Sequence, residues 1–284
     1  LLQQKFDKMY VTKDLYRIYC QLLEECGLDP LSGAEYERRK IPYEDVFPML
    51  YLKYRLEGGN HSHKNIKHLV IDEMQDYSRL QYLIIRRMFS CKMTILGDRA
   101  QTMADQQQDV LQFLPGIFGK DLRRIEMRKS YRNTVEIASY AANLIGVTDL
   151  ELFERHGMPV LERNVTDLEA ALREAVDTLF PEEKTYETAA VIVPDEKTAE
   201  RAYLILREIL AEKDFDCEKR LSWLNRDSSS FKKGLTVTTF YLAKGLEFDQ
   251  VFSIFPKDEK REMMMQAQYI AATRALHELR VYHI

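Results

Sequence analysis

Apolar spacing along the chain changes character near residue 65. Before that point the pattern is helical. "KDLYRIYCQLLEECG" sets Leu15, Ile18, Leu22 and Leu23 on one face and stops at Gly27. "PYEDVFPMLYLKYRLEGG" opens on Pro42 and acidic residues and closes on Gly58-Gly59, with Pro48 marking a place for a kink. "NHSHKN" predicts the loop that follows. Beyond it, "IKHLVIDE" and "CKMTILGD" are short apolar runs that end in acidic residues, with the amphipathic "SRLQYLIIRRMFS" between them. Strand, helix and strand at this spacing predict a parallel βαβ unit. "LRRIEM" predicts another strand and "NTVEIASYAANLIG" a long helix. The second half alternates in the same way. "PVLERN", "TAAVIVP", "LTVTTF", "QVFSIF" and "LRVYHI" read as strands. "DLEAALREAVDTLF", "DEKTAERAYLILREILAE" and "REMMMQAQYIAATRAL" read as helices, and "KDFDCEKRLSWLNRDSSSFKKG" as irregular chain. The expected organisation is a helical segment over 1–64, an α/β domain over 65–127 and a second over 128–284. The two α/β domains meet near Met127 to Arg132.

Composition narrows the class. The 284 residues suffice for two domains, and 45% hydrophobic with 30% charged residues is ordinary for a globular protein. No apolar run approaches the roughly 20 residues of a membrane helix, and the start does not resemble a signal peptide. Cys20, Cys26, Cys91 and Cys217 form no CxxC pair, which argues against a zinc site or a disulfide framework and for a reducing cytoplasm. The net charge of −4 lends no support to a dedicated duplex-DNA binder. The chain opens "LLQQKFDKMY" and ends "LRVYHI", and reads as a piece of a longer protein.

The stretch "HLVIDEMQDYSRLQ" puts Asp72, Glu73 and Asp76 at the end of an apolar run. Burying unpaired carboxylates costs several kcal/mol each. At the carboxyl end of a strand in an open α/β sheet they would instead face a ligand crevice. An Asp-Glu pair there suits phosphate hydrolysis: one carboxylate holds magnesium, usually through water, and its neighbour polarises the attacking water. The second strand ends in "GDRAQ", which brings Asp98 and Gln101 to the same rim. Acidic residues after a strand also serve as helix N-caps. Two strands that end this way, each with a Gln following, weigh toward chemistry.

Basic residues come next. "RKSYRNT" supplies Arg128, Lys129 and Arg132, and "AATRALHEL" places Arg274 on a helix among alanines. An isolated helical arginine is ordinarily solvated. Small neighbours imply close packing of this helix, with Arg274 projecting from it. Guanidinium groups stabilise transition-state charge on phosphates. "TTFYLAKGLEFDQV" adds Thr239, Lys244, Gly245 and Glu247 after a strand, where glycine permits close backbone approach.

Taken in order, these segments resemble the motor core of UvrD/Rep-type superfamily 1 helicases. "VIDEMQD" resembles the family's magnesium motif and "ILGDRAQ" its GDxxQ motif. "MRKSYRN" is similar to the motif that opens the second RecA-like domain, "VTTFYLAKGLEFD" to TxHxxKGLE and "YIAATRALHEL" to VAxTRA. "PYEDVFPMLYL" is similar to the helix before the magnesium motif, so the likeness runs from about residue 42 to the end. "YEDVFPMLYLKYRLEG", "YLAKGLEFD" and "ATRALH" look most like the HelD-type branch, helicase-like ATPases that act on bacterial RNA polymerase. The resemblance implies an α/β fold of RecA-like parallel sheets flanked by helices: part of a first RecA-like domain, a complete second one and a helical N-terminal segment. It implies ATP and Mg2+ as ligands. Asp72 would hold the metal and Glu73 activate water. Gln101 would sense the γ-phosphate, Arg132 and Arg274 would contact it, and Glu247 would approach the ribose, with Lys244 and Gly245 nearby.

Two departures bear on nucleic acid. Aromatics usual after GDxxQ give way to "TMADQQQDVLQF", and Tyr241 stands where the motif has His. Strand binding is therefore expected to be weak, with RNA polymerase as partner and no membrane. No GxxxxGK[ST] occurs, so the phosphate cradle is expected in the protein's own N-terminal half, and the chain alone should not hydrolyse ATP. Three other readings compete: a non-catalytic helicase-like docking module, a true DNA helicase translocating on single strands, and a metal-dependent nuclease using Asp72, Glu73 and Asp98. The nuclease reading explains neither the arginines nor the KGLE segment.

Overall fold

The computed structural model describes residues 14–57, 63, 65–98, 101, 109–119, 122–127, 129–148, 151–213, 216–228, 233–257 and 262–284. The chain divides into two compact units. One comprises 1–99 with 106–124, the other 100–105 with 125–284.

The first unit contains helices α1 (Leu15–Glu25), α2 (Tyr43–Leu56), α3 (Arg79–Met88) and α4 (Val110–Phe118), with strands β1 (His68–Ile71) and β2 (Lys92–Ile95). Asp14 caps α1 by accepting from the Tyr16 N–H, and its other oxygen meets Arg39 at 2.7 Å. The buried face of α1 is Tyr16, Ile18 and Tyr19, with Leu15 and Leu23 packed beside them, while Leu22 is exposed, so the expected stripe of Leu15, Ile18, Leu22 and Leu23 is rotated away from Leu22. Two tyrosine hydroxyls explain the rotation: Tyr16 donates to the Ser32 carbonyl at 2.7 Å and Tyr19 to Asp45 at 2.6 Å. Their rings bury apolar area while the polar tips stay satisfied. Helix α2 runs unbroken through Pro48.

Strands β1 and β2 pair in parallel, His68 opposite Lys92 and Ile71 opposite Ile95, with α3 as the crossover. This is the predicted βαβ unit. Ser78 starts α3 with a capping box, its Oγ accepting from the Gln81 N–H while the Gln81 side chain accepts from the Ser78 N–H. Tyr82 is fully buried at the centre of a cluster with Ile71, Val110, Phe113 and Leu114.

The second unit is built on a six-stranded, wholly parallel sheet flanked by helices. Its strands are β5 (Leu161–Asn164), β6 (Thr188–Val193), β7 (Leu221–Trp223), β8 (Gly234–Thr239), β9 (Phe248–Phe255) and β10 (Ala275–His283), in the order β5-β10-β9-β6-β8-β7. Helices α5 (Val135–Leu144), α6 (Leu168–Asp177), α7 (Glu196–Ala211), the short α8 (Cys217–Arg220) and α9 (Glu262–Ala272) complete it. Strand β6 shows why the sheet is covered on both faces. Ala189, Val191 and Val193 pack in one core cluster with α6 and α7, and Ala190 and Ile192 in the other with α5 and α9. Side chains alternate along a strand, so a run apolar at every position needs cover on both sides. The α/β fold class stands as expected.

Several elements depart from the sequence reading. Residues 122–127 are exposed coil outside any strand, so "LRRIEM" is not a strand. In "KDFDCEKRLSWLNRDSSSFKKG", read as irregular, Cys217–Arg220 is a helical turn and Leu221–Trp223 is edge strand β7. A two-stranded parallel ladder of β3 (Lys129–Ser130) with β4 (Glu151–Leu152) was not foreseen, nor was α4. Helix α9 ends at Ala272, and Ala275 already belongs to β10. The next helical bond is diverted: the Ile270 carbonyl accepts from Arg274 Nε and the Arg274 N–H turns to Ala271, while Asn133 Nδ2 holds the carbonyls of Thr273 and Ala275 and the Phe248 N–H that of Arg274.

Candidate active site

In the first unit the acidic strand end forms a locked corner. Glu73, directly after β1, has left-handed backbone (φ 51°). A non-glycine residue there carries strain of roughly 1–3 kcal/mol, and such strain clusters at functional sites. Several bonds hold it. The Glu73 N–H donates to Asp72 Oδ1 at 2.8 Å, and the Met74 N–H donates to the Leu96 carbonyl at 2.8 Å. Gln75, which the sequence reading passed over, donates from Nε2 to Glu73 Oε2, and its Oε1 accepts from the Asp98 N–H at 3.2 Å. The buried Gln75 thus ties the general-base candidate to the end of β2.

Gly97 makes this approach feasible. A Cβ there would lie 2.4 Å from Met74 Cγ and 2.6 Å from the Met74 nitrogen. Asp72 is exposed, with one oxygen on the Glu73 N–H. An exposed carboxylate of this kind fits magnesium, which keeps most of its water shell and takes one or two protein carboxylates. Among the described residues no three His, Cys, Asp or Glu side chains gather as a metal cluster.

In the second unit four predicted residues converge. Arg132 Nε meets Glu247 Oε1 at 2.6 Å, both half-exposed. Arg274 lies in the turn between α9 and β10 and is 1% exposed, so the expected projection from a helix is corrected. Its guanidinium donates to the carbonyls of Ile270 (3.2 Å) and Leu246 (3.4 Å), to Thr273 Oγ1 (3.1 Å) and to Gln101 Oε1 (3.4 Å). Gln101 is itself buried. Lys244 and Gly245 sit in the turn after β8, where Gly245 has φ 77° and open space around it.

The two units use opposite ends of their strands. Asp72, Glu73 and Asp98 follow β1 and β2 at carboxyl ends, as expected. Glu247 and Arg274 each precede a strand, β9 and β10, at amino ends. The segment 240–247 runs from the carboxyl end of β8 to the amino end of β9 and thereby separates Tyr241 from Glu247. Tyr241 donates to Glu196 at 3.0 Å, and the same carboxylate oxygen pairs with Arg226 at 2.9 Å. Beside Arg132, the exposed Tyr131 packs on Phe153 with ring centroids 5.5 Å apart. An exposed ring next to a charged pair was the available signal for it. Arg128 and the 102–108 stretch, where the aromatic run is missing, lie outside the described residues.

Residues 3–103 match the family model of the UvrD/REP helicase N-terminal domain. No curated protein matches the chain. Among solved structures, the C-terminal domain of a "possible DNA helicase" from Lactobacillus plantarum WCFS1 is 24% identical over 55% of this chain and 88% of that one, with TM-score 0.42. The PRRSV helicase is 15% identical over 94% of this chain and 45% of its own, with TM-score 0.42. Arterivirus nonstructural protein 10 (helicase) in complex with DNA is 14% identical over 76% and 39%, with TM-score 0.40. The chain spans less than half of those two viral helicase chains. Over residues 3–103, then, the chain is similar to the N-terminal domain of UvrD/REP helicases.

Proposed function

We propose that this chain is the C-terminal motor portion of a superfamily 1, HelD-like ATPase that hydrolyses Mg-ATP to remodel an RNA polymerase or nucleic-acid complex. The observation that carries the proposal is convergence. Gln101 and Arg274, 173 residues apart in sequence, share a hydrogen bond, and Arg132 pairs with Glu247 in the same unit. Each was expected from a different motif to serve one nucleotide.

On this reading Glu73, held by Gln75 in a fixed orientation, takes the proton of the attacking water. Arg132 and Arg274 supply positive charge where the transferring phosphoryl group becomes most negative. Glu247 restrains Arg132 until a phosphate competes for it, and Tyr131 offers a face for the base. Magnesium, held by Asp72, would neutralise phosphate charge. The phosphate cradle comes from chain outside these residues, and the protein works in the cytoplasm.

The HelD-like branch is supported by the likeness of "YEDVFPMLYLKYRLEG", "YLAKGLEFD" and "ATRALH", and by Tyr241. Its hydroxyl is engaged by Glu196 within the protein, which favours protein contacts over strand contacts as the stimulus. ATPase activity of the full-length protein, titrated separately with single-stranded oligonucleotide and with RNA polymerase at near-physiological salt, tests this. Stimulation by polymerase and little by oligonucleotide is expected, because losing aromatic stacking forfeits roughly 1–3 kcal/mol per base. Strong stimulation by bare strand, with directional unwinding of a tailed duplex, would favour the second reading, a true DNA helicase.

A further inference from the structure

Two side chains outside the predicted site join the backbone that carries Arg132 to the turn that carries Arg274. Asn133 is 7% exposed and donates through Nδ2 to the carbonyls of Thr273 (3.2 Å) and Ala275 (2.6 Å), the neighbours of Arg274 on either side. Arg155 approaches from the segment after β4. One of its terminal nitrogens donates both to the Arg132 carbonyl and to the Leu276 carbonyl, the latter at 2.6 Å. Its Nε is buried and has no partner among the described residues, so bridging through the terminal nitrogen is the polar work this side chain does.

The segment that bears Arg155 is itself fastened. The Arg155 carbonyl accepts from the Val135 N–H at 2.9 Å, in the first turn of α5. Glu136 accepts from His156 Nδ1 at 2.9 Å and from the Gly157 N–H at 2.8 Å. The His156 hydrogen bond, first among the causes, draws the Glu136 carboxyl down to about 2. Gly157 lies so close to Thr134 that a Cβ would come within 2.6 Å of its Cγ2. The carbonyls of Arg132 and Leu276 are therefore bridged from a braced support, by a hydrogen bond stronger than a neutral one.

We infer that Arg155 and Asn133 are positioning residues that fix the separation of Arg132 and Arg274, and so set how well the site distinguishes a nucleoside triphosphate from the diphosphate. This rests on the reading of both arginines as γ-phosphate contacts. A misplacement of about 1 Å can cost on the order of a hundredfold in rate, and neither arginine is anchored to the other directly.

The test measures ATPγS and ADP affinities and Mg-ATP turnover in the full-length protein. Arg155→Ala should weaken ATPγS about tenfold while changing ADP less than about twofold, with turnover down by a similar factor. Arg155→Lys should recover part of the loss. In an Arg132→Ala background, Arg155→Ala should add little, since a residue acting through Arg132 has nothing left to position. Where Arg155→Ala does not fold, Asn133→Ala, which removes the carboxamide and with it the Nδ2 donor, carries the same expectation. Equal loss for both nucleotides, or full additivity in the double variant, would reduce the pair to structural staples and overturn the inference. If Arg132→Ala impairs ATPγS binding and neither Arg155 nor Asn133 variants do, the inference alone fails. If Arg132→Ala itself leaves the triphosphate preference intact, the underlying reading fails and this inference with it.

Discussion

Glu73→Gln in the full-length protein is expected to lower ATP hydrolysis on the order of a hundredfold or more while leaving ATP binding nearly intact. The amide keeps the shape of the carboxyl group and loses its capacity to take a proton. The structure sharpens this expectation. Glu73 reaches its position through a strained left-handed backbone and a side-chain bond from Gln75, which is fixed in turn by the Asp98 N–H. Glutamine in place of Glu73 can still turn its carbonyl oxygen to Gln75, so the corner should survive and the loss should fall on chemistry. Phosphate release and nucleotide affinity, measured side by side, check it. Normal turnover by the variant would remove Glu73 from the role of base.

Arg274→Ala should reduce hydrolysis by a comparable factor, because its charge is needed most in the transition state. It should also destabilise the second unit. The guanidinium is buried and serves the Ile270 and Leu246 carbonyls, Thr273 Oγ1 and Gln101. Truncation leaves buried acceptors without their donor, a loss of about 2–3 kcal/mol. Urea unfolding read together with turnover separates the two effects. Arg274→Lys keeps the charge but lacks the fork that spans these acceptors, so it should recover little stability. A variant as stable and as active as the parent would show that the buried guanidinium is incidental.

Much of this arrangement was legible because it rests on local signals. Strand β6 is a nearly continuous apolar run, as a strand buried on both faces must be, and Asp72, Glu73, Arg132 and Glu247 sit in recognisable strings. What escaped depends on distant partners. The pattern "YIAATRALHEL" continues a helix on spacing alone, yet the chain leaves the helix after Ala272 and enters β10 at Ala275, with the Thr273 carbonyl held by Asn133, 140 residues away. The same capture, with the carbonyls around it, buries Arg274 where projection was expected. Gln75 lay hidden among carboxylates, and only the close approach of Gly97 reveals it as the link between two strand ends. Strand β7 is three residues long and exists because β8 offers an edge. "LRRIEM" has the composition of a strand, and its side chains are all exposed in coil.

The most direct test of the central claim is phosphate release from ATP by the full-length protein, with magnesium and with chelator, beside Asp72→Asn. Asp72 is the exposed carboxylate at the end of β1, next to the strained Glu73. Steady turnover that needs magnesium and is lost in Asp72→Asn is the predicted result. A folded protein that binds ATP yet shows no turnover, alone or with polymerase or nucleic acid, would contradict the account, and so would turnover indifferent to Asp72.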